Sequence, residues 1–361
     1  MRILCVLKWL INGGAEKNAV NIINYLAENN ENTIDVLVME NTEDQYLLEL
    51  LSPKVNKIYF LNSKIEKFSF FLTSSKSYTH VFAGDHRLGA YLSTIRFITP
   101  HLKWKIICRC INNLSILLMN KKKTQKKIFS YFFNKIDLVI SQCEGMSDDL
   151  TSNWKVNNVV TVYNPITRKT KNHKVISNKD NEVRFLYTGR FSHQKRLLFM
   201  LKAFHHALTL IDKKVTLTLV GYRDWMDEDN KIYDELQSYI INNDLSKHVF
   251  IENYTTNLSD LFYNSHVFLL TSIYEGFPNV LIEANSYGIP VISTDCNFGP
   301  NEIIEEGTNG YLSDLNSIDE FSKYIVSSVY KDWDNLKIIS TTSIYHKDIQ
   351  YKKLLDRISE I

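Results

Sequence analysis

One run of thirty residues, His266–Asp295, constrains the fold more than any other part of the chain. It begins with an apolar, β-branched stretch to Ile273, passes through a short loop to Pro278, and continues as a helical segment that stops at Gly288. A second apolar stretch follows at once. The order strand, tight loop, helix, strand is typical of an open parallel sheet, in which ligands bind beyond the carboxyl ends of the strands. The run therefore predicts a binding site in its loop.

Two glutamates stand in this run. Glu275 lies in the loop beside Gly276 and Phe277, whose backbone N–H groups fall near a helix N-terminus that suits phosphate. Glu283 lies among apolar neighbours, where an unpaired carboxylate is costly, so a hydrogen-bonding partner is expected. The alternative is a loop glutamate and a satisfied core glutamate in an ordinary α/β unit.

Strand and helix signals alternate along the whole chain of 361 residues, which is long enough for two domains. This alternation predicts an α/β protein with two doubly wound, Rossmann-like domains facing across a cleft. The first domain is assigned to residues 1–166, a polar linker without periodicity to 167–182, and the second domain to 183–339. No G-x-G-x-x-G fingerprint follows the first strand, which argues against a dinucleotide dehydrogenase.

Cysteine usage and hydropathy bear on the compartment. The five cysteines are scattered without metal-ligand spacing, which favours reduced thiols in a cytosolic protein. Neither a signal peptide nor a stretch long enough to span a bilayer is recognisable. A cytoplasmic protein is therefore expected.

Charge is distributed unevenly. From His86 to Ile136 there are 11 Lys or Arg and no Asp or Glu, whereas the rest of the chain has 31 basic and 40 acidic residues. Segment 114–135 sets a group of lysines among aromatic and aliphatic side chains, and this group comprises Lys121, Lys122, Lys123, Lys126 and Lys127. Such a segment can lie on an anionic membrane surface or bind the phosphate of a lipid acceptor. The alternative is a solvated lysine cluster. No nucleic-acid motif accompanies the charge, so nucleic acid is not expected as a partner.

Two more motifs precede predicted helices. Gly13 and Gly14 follow the first strand, and two glycines at a helix N-terminus let the backbone approach an anion closely. Arg190 and Lys195 lie in the turn after the first strand of the second domain, where two cations can neutralise a diphosphate. The alternatives are a plain turn before a helix and two solvated surface charges.

Together these motifs resemble those of the retaining glycosyltransferases of glycosyltransferase family 4. Glu275–Ala284 resembles the E-x7-E signature, Gly13–Glu16 the GGAE loop, and Arg190 with Lys195 the G-R-x(4)-K pattern. Arg196 departs from that pattern, because it replaces the glycine that usually follows the lysine. The resemblance touches most of the chain and is most specific over residues 189–312.

The resemblance implies the GT-B fold, in which the second domain holds the nucleotide sugar and the first mostly holds the acceptor. A last helix, about 340–361, would pack back on the first domain. The residues that would bind the donor are Gly13, Gly14, Arg190, Lys195, Gly276, Phe277, Pro278, Asn279 and Glu283. The residues with an expected catalytic role are Glu275, Arg190, Lys195 and His86. For His86 a structural histidine is the alternative. Glu16 and Arg109 are the acceptor-side candidates.

The resemblance favours front-face attack over a covalent glycosyl-enzyme. Arg190, Lys195 and amides near Gly14 would stabilise the leaving diphosphate, whose oxygen would take the acceptor proton. Glu275 would orient the donor sugar, and Glu283 would accept the ribose hydroxyls. No metal and no cofactor besides the nucleotide sugar is expected.

The predicted function is transfer of a hexose or N-acetylhexosamine from a nucleotide sugar, UDP-linked by resemblance, to a lipid-linked glycan acceptor. The transfer would serve surface-polysaccharide synthesis (O-antigen, capsule or lipooligosaccharide) on the inner face of the cytoplasmic membrane, with the protein bound peripherally. The alternatives are a GT-B nucleotide-sugar 2-epimerase and a non-catalytic protein that binds sugar nucleotides.

Overall fold

The computed structural model describes residues 1–11, 13–40, 42, 46–166, 181–222, 227–255 and 257–361. The chain divides into two compact units. The first unit comprises Met1–Pro165 and Lys347–Ile361, and the second comprises Ile166–His346. Most of the predicted linker, 167–182, lies outside the described residues, and its last residue, Glu182, begins a strand.

The first unit is built on seven parallel strands in the order β3-β2-β1-β4-β5-β6-β7. They are β1 Arg2–Leu7, β2 Thr33–Val38, β3 Lys57–Phe60, β4 His80–Ala83, β5 Lys105–Arg109, β6 Leu138–Ser141 and β7 Val159–Thr161. The interior strand β1 is an almost unbroken buried apolar run, as expected for a parallel strand covered on both faces.

Helices connect these strands. In chain order they are α1 Gly14–Glu28, α2 Tyr46–Glu49, α3 Lys64–Thr73, α4 His86–Ile98, α5 Leu114–Leu117, α6 Lys123–Phe133 and α7 Glu144–Ser152. The first unit also contains the last helix of the chain, Lys347–Ser359, which is numbered α15 below.

The second unit has six parallel strands in the order β10-β9-β8-β11-β12-β13. They are β8 Glu182–Arg190, β9 Lys214–Tyr222, β10 Val249–Asn253, β11 Val267–Leu270, β12 Val291–Thr294 and β13 Gly310–Ser313. Its helices are α8 Leu197–Leu208, α9 Asp227–Asn242, α10 Leu258–Tyr263, α11 Asn279–Ser286, α12 Pro300–Ile303, α13 Ile318–Tyr330 and α14 Asn335–Thr341. Both predicted doubly wound units are confirmed.

Each sheet has one point at which the strand order reverses. In the first unit this point lies between β1 and β4, and in the second it lies between β8 and β11. Crevices form beyond the carboxyl ends of the strands at such points, because the connecting helices leave to opposite faces. The fold therefore offers one ligand position in each unit.

Two parts of the architecture differ from the sequence-based prediction. β3 and α3 were not predicted, because β3 is a short edge strand with mostly exposed side chains and so lacks a clear apolar run. The last helix, expected over about 340–361, begins only at Lys347. The chain leaves α14, makes a 3₁₀ turn at Ser343–Tyr345, and pairs its backbone with Ile166 before α15 begins. This pairing requires an extended residue, His346, which ends the helical path.

The core of the first unit includes residues from both ends of its sequence. Val20, Ile23 and Leu26 of α1 are buried in the same apolar cluster as Tyr351 and Leu354 of α15. The helix α15 is thus an integral part of this unit. None of the helices in the described part of the chain combines the length and apolarity that crossing a bilayer requires.

Candidate active site

A carboxylate and an ammonium meet at the reversal point of the second unit. Glu275 follows β11, and its Oε1 lies 2.5 Å from Nζ of Lys195, which follows β8. The Ser272 hydroxyl donates to the same carboxylate oxygen at 2.5 Å. Only 10% of the Glu275 side chain and 19% of the Lys195 side chain is exposed. In this partly desolvated setting the pair fixes both groups without removing them from reach of a ligand.

Hydrogen bonds to backbone carbonyls join the two loops that supply this pair. The Thr271 hydroxyl donates to the carbonyl of Lys195 at 2.7 Å. The N–H of Ile273 donates to the carbonyl of Gln194 at 2.9 Å, and the Gln194 amide donates to the carbonyl of Tyr274 at 2.7 Å. The loops after β8 and β11 therefore form one rigid assembly, in which the position of Lys195 depends on that of Glu275.

Arg190 ends β8 rather than lying in the turn beyond it. The buried Tyr187 hydroxyl donates to the carbonyl of Arg190 at 2.9 Å and so holds the end of the strand. Between them Gly189 has a φ of +155°, and a Cβ there would lie 2.7 Å from that hydroxyl. Glycine is therefore required at this position. Burial, together with the nearby Glu275 charge, raises the pKa of Tyr187 far above its ordinary value, so the hydroxyl remains a donor.

Arg196, which replaces the glycine expected after Lys195, has an unusual backbone conformation. Arg196 has φ +50° and ψ +45°, the left-handed region that glycine adopts most easily. Its guanidinium donates to the carbonyl of Leu315 at 2.7 Å and lies 4.3 Å from the centre of the Phe199 ring. These contacts offset the backbone cost, so the turn before α8 keeps its geometry without the glycine.

The remaining predicted donor-binding residues of this unit follow Glu275 into α11. Gly276 is half-buried and Phe277 is buried, Pro278 caps the helix, and Asn279 is its first residue. Glu283 lies within α11 and is half-buried, flanked by buried neighbours.

A cavity of about 420 Å³ lies at the reversal point of the first unit, beyond β1, β2 and β4. This volume falls within the range of small-molecule sites. Its lining brings together several of the residues that bear charge or aromatic rings, namely Lys8, Trp9, Glu16, Lys67, Asp85, His86, Arg87 and Tyr91. The predicted residues Glu16 and His86 therefore share one cavity, although 70 residues separate them in the sequence.

Trp9 and Glu16 fix each other at the edge of this cavity. The indole N–H of Trp9 donates to Oε1 of Glu16 at 3.0 Å, and Nζ of Lys8 lies 3.5 Å from the centre of the indole ring. Gly13 caps α1, and a Cβ there would lie 2.4 Å from Oε2 of Glu16. Around Gly14, the first residue of α1, a Cβ would meet no atom within 4 Å. Gly13 thus leaves room for the Glu16 carboxylate, and Gly14 borders open space.

His86, the first residue of α4, is only 3% exposed although it lines the cavity. Neither of its ring nitrogens has a hydrogen-bond partner among the residues that the structure describes. An unsatisfied buried imidazole is costly, so a bound hydroxyl would offset part of that cost. Burial lowers the pKa of His86 to about 4, with a smaller lowering by Arg87 and an opposing effect of Asp85. At neutral pH the ring is therefore uncharged.

This shift predicts an acid sensitivity of the fold. The unfolded chain protonates His86 near its ordinary pKa of 6.5, but the folded chain does so only near 4. As pH falls through this window, the unfolded state binds the extra proton, and the free energy of unfolding should drop by up to about 3 kcal/mol. Above the window this contribution is constant. Urea unfolding at about pH 7 and at about pH 5 measures this drop in the free energy of unfolding, and His86→Phe should remove it. An equal drop in the wild type and in His86→Phe would contradict the prediction.

Arg109 does not line the cavity. Its side chain is 1% exposed, and its guanidinium donates to the carbonyl of Ala15 in the first turn of α1 at 2.9 Å. Burial lowers the pKa of Arg109 to about 10, so it remains charged at neutral pH. Burial beneath α1 directs the Arg109 guanidinium to the first turn of that helix, which carries Glu16.

Segment 114–135 forms α5, a turn and α6 on the surface of the first unit. Its lysines are exposed except for Lys126, which is partly buried and donates to the carbonyl of Met119 at 3.0 Å. None of these lysines lines the 420 Å³ cavity.

Several residues that position the site were missed in the sequence. Thr271 and Ser272 occur just before Glu275, where the sequence suggested only the end of a strand. Trp9 is the second residue after β1 and belongs to no motif identified in the sequence. The available signal was position alone, since polar or aromatic residues directly after parallel strands lie at the ligand edge of the sheet.

Comparison with known proteins finds a family model and several relatives that match this chain in sequence. Residues 168–341 match the family described as glycosyl transferases group 1. The lipopolysaccharide 1,6-galactosyltransferase of Salmonella typhimurium is 29% identical over 238 residues, which cover 59% of this chain and 62% of that enzyme. The UDP-Gal:alpha-D-GlcNAc-diphosphoundecaprenol alpha-1,3-galactosyltransferase of Escherichia coli is 29% identical over 156 residues, 42% of this chain and 38% of that enzyme. The chain thus spans less than two thirds of the length of either relative.

A solved structure matches over the entire chain. Alr3699/HepE from Anabaena, in complex with UDP, superposes with a TM-score of 0.82 at 16% identity and covers 100% of both chains. At this identity the likeness establishes the fold, which is that of a two-unit α/β protein of the GT-B type.

Proposed function

We propose that this protein is a retaining glycosyltransferase of family 4 that transfers a sugar from a UDP-sugar to a glycan acceptor. The observation that carries the proposal is the Lys195–Glu275 pair at the reversal point of the second unit. A cation and a carboxylate held together at this position suit a ligand that carries both a diphosphate and sugar hydroxyls. The match of residues 168–341 to glycosyl transferases group 1 covers this same part of the chain.

In the proposed reaction, the bond between the anomeric carbon and the diphosphate oxygen breaks, and both of its electrons go to the diphosphate. A bond forms from the acceptor oxygen to the same carbon on the same face, and the acceptor proton passes to the leaving phosphate oxygen. Arg190 and Lys195 stabilise the charge that develops on the diphosphate. Glu275, held by Ser272, orients the sugar hydroxyls. This division of roles needs no metal ion and no further cofactor.

We assign the cavity of the first unit to the acceptor. Trp9 and Glu16 offer a ring face and a fixed carboxylate, and His86 offers two unsatisfied nitrogens. Such a combination suits a pyranose, which presents an apolar ring face and hydroxyls. His86 would bind a hydroxyl as a neutral group, since its pKa lies far below neutral.

The acceptor is proposed to be lipid-linked and part of a surface polysaccharide. The relatives from Salmonella typhimurium and Escherichia coli act, by their names, on lipopolysaccharide and on a sugar diphosphoundecaprenol. We further propose that the protein works at the cytoplasmic face of the membrane, where the lysines of segment 114–135 face anionic lipid.

The first test is donor turnover. The purified protein is incubated with a panel of UDP- and GDP-sugars, with and without membrane lipid extract, and free nucleoside diphosphate is quantified. Release of UDP from one donor, increased by the extract, supports the proposal and identifies the sugar. Conversion of the donor to its 2-epimer would instead identify an epimerase. Binding of UDP without any turnover in the presence of the extract would favour a non-catalytic protein.

Removal of Glu283 should weaken donor binding. If its carboxylate accepts the ribose hydroxyls, Glu283→Gln should raise the dissociation constant of UDP by about 10- to 100-fold, because hydrogen bonds to a charged group are lost. Calorimetric titration with UDP measures this change. Glu235→Gln, an exposed carboxylate of α9, is the matched control and should bind UDP as the wild type does. Equal affinities in all three proteins would remove Glu283 from the donor site.

A further inference from the structure

The ends of two helices of the first unit form an exposed apolar surface. Phe97 and Ile98, at the end of α4, are 58% and 56% exposed. The neighbouring helix α6 exposes Ile128 to 61% and Tyr131 to 51%. The ring of Phe97 lies 6.2 Å from that of Tyr131, so the two helices contribute to one continuous patch. Single exposed apolar residues are ordinary, but a contiguous group of large ones marks an interaction surface.

Cations surround this patch. Lys127, Ile128 and Tyr131 occupy neighbouring positions on one face of α6, because residues three and four apart share a face. Lys135, two residues beyond the end of α6, places its Nζ 5.4 Å from the centre of the Tyr131 ring. Lys121, Lys122 and Lys123 precede this face and are exposed. From residue 86 to 136 the sequence contains no acidic residue, so this charge is not internally neutralised within that segment.

We propose that these residues form a membrane-insertion platform, in which Phe97, Ile98, Ile128 and Tyr131 enter the interface of an anionic bilayer and the lysines contact its headgroups. The proposal rests on the proposed function, since it specifies how the enzyme reaches its lipid-linked acceptor. It goes beyond attraction by charge, because the α4 residues lie outside the basic segment and carry no charge.

A bilayer fits this surface better than a phosphate alone. A phosphate group is bound by cations and backbone amides and gains nothing from exposed phenyl and aliphatic side chains. A bilayer interface accommodates both parts, since apolar side chains enter the acyl boundary while lysines remain among headgroups. Tyrosine at the edge of the patch suits the headgroup level.

The five native cysteines are all buried, which permits a direct test on the full chain. Ile128→Cys is labelled with an environment-sensitive fluorophore and mixed with vesicles of phosphatidylcholine alone or with added phosphatidylglycerol. A blue shift with the anionic vesicles is expected. Leu336→Cys, on a residue of α14 that is 74% exposed, is the matched control and should show no shift. An unchanged spectrum at position 128 while the protein sediments with the vesicles would overturn insertion.

Two further arms separate insertion from its alternatives. Phe97→Ser with Ile128→Ser should lower vesicle partition about tenfold, whereas Leu336→Ser should not. If the Phe97/Ile128 double variant and the Leu336 variant bound vesicles equally, the proposal would be overturned. It would also be overturned if inorganic phosphate released the wild-type protein from the vesicles more than chloride does at equal ionic strength. A concentration-dependent dimer abolished by Phe97→Ser would assign the patch to a second copy instead. Calorimetric titration of the same variants with UDP, without lipid, tests donor binding separately, because these residues lie outside both proposed ligand sites.

Discussion

Replacement of Glu275 by glutamine is expected to slow sugar transfer by about 100-fold while changing UDP affinity little. The carboxylate lies 2.5 Å from both the Lys195 ammonium and the Ser272 hydroxyl, so its orientation is fixed before a donor binds. An amide of the same shape fills the site but offers weaker bonds to sugar hydroxyls and to Lys195. The donor sugar would then lose its alignment, and even a small misplacement of the reacting atoms lowers the rate of transfer strongly.

The measurement is the rate of UDP release with the donor and lipid extract identified by the turnover screen, together with the UDP dissociation constant. The expected pattern for Glu275→Gln, a fall in rate at nearly constant affinity, is opposite to that for Glu283→Gln. Glu235→Gln again controls for the loss of a surface carboxylate in the same unit. If Glu275→Gln transferred sugar at the wild-type rate, the assignment of the catalytic carboxylate would be wrong.

Replacement of Lys195 by methionine is expected to affect rate and stability together. The rate should fall by about 100- to 1000-fold, because one of the two cations proposed for the leaving diphosphate is lost. The free energy of unfolding should also fall by about 3 kcal/mol, since the carboxylate of Glu275, 10% exposed, would lose its cation. Urea unfolding and UDP release measure the two effects on the same preparation.

A double-mutant cycle separates the two roles of Lys195. Lys195→Met combined with Glu275→Gln removes both charges, so much of the lost stability should return, whereas the rate should not recover. Lys202→Met, which removes an exposed lysine of α8, is the control for the loss of a positive charge in this unit. If the double variant lost as much stability as the two single variants together, the ion pair would contribute nothing to the stability of the fold.

The sequence predicted the position of Glu275 and Lys195 but not their contact. Each follows an apolar strand, so each could be placed at the ligand edge of a parallel sheet. Their meeting depends on β8 and β11 being neighbours, with β9 and β10 on the other side of β8. Strand order arises from long-range packing, and no local pattern encodes it. The pairing of residues 80 apart therefore became visible only in the folded unit.

His86 and Arg109 illustrate a second limit. Both follow or end apolar strands, and both were placed on the ligand side by the family resemblance. The structure leaves His86 on the cavity wall and buries Arg109 beneath α1, where it holds the carbonyl of Ala15. The difference arises from which neighbours cover each side chain. Burial of a polar group is a property of the assembled layers, whereas strand periodicity reports only which face a residue occupies.

The contribution of α15 to the core of the first unit has a consequence for the order of events during synthesis. Leu354 and Ile358 pack with Val20 and Ile23, so residues from opposite ends of the sequence complete one apolar cluster. A chain emerging from the ribosome exposes its N-terminal sheet first and normally folds it as soon as that part is available. Here the part of this cluster that α15 supplies is missing while the whole second unit is translated. The apolar cluster of the first unit is thus completed only when α15 has emerged.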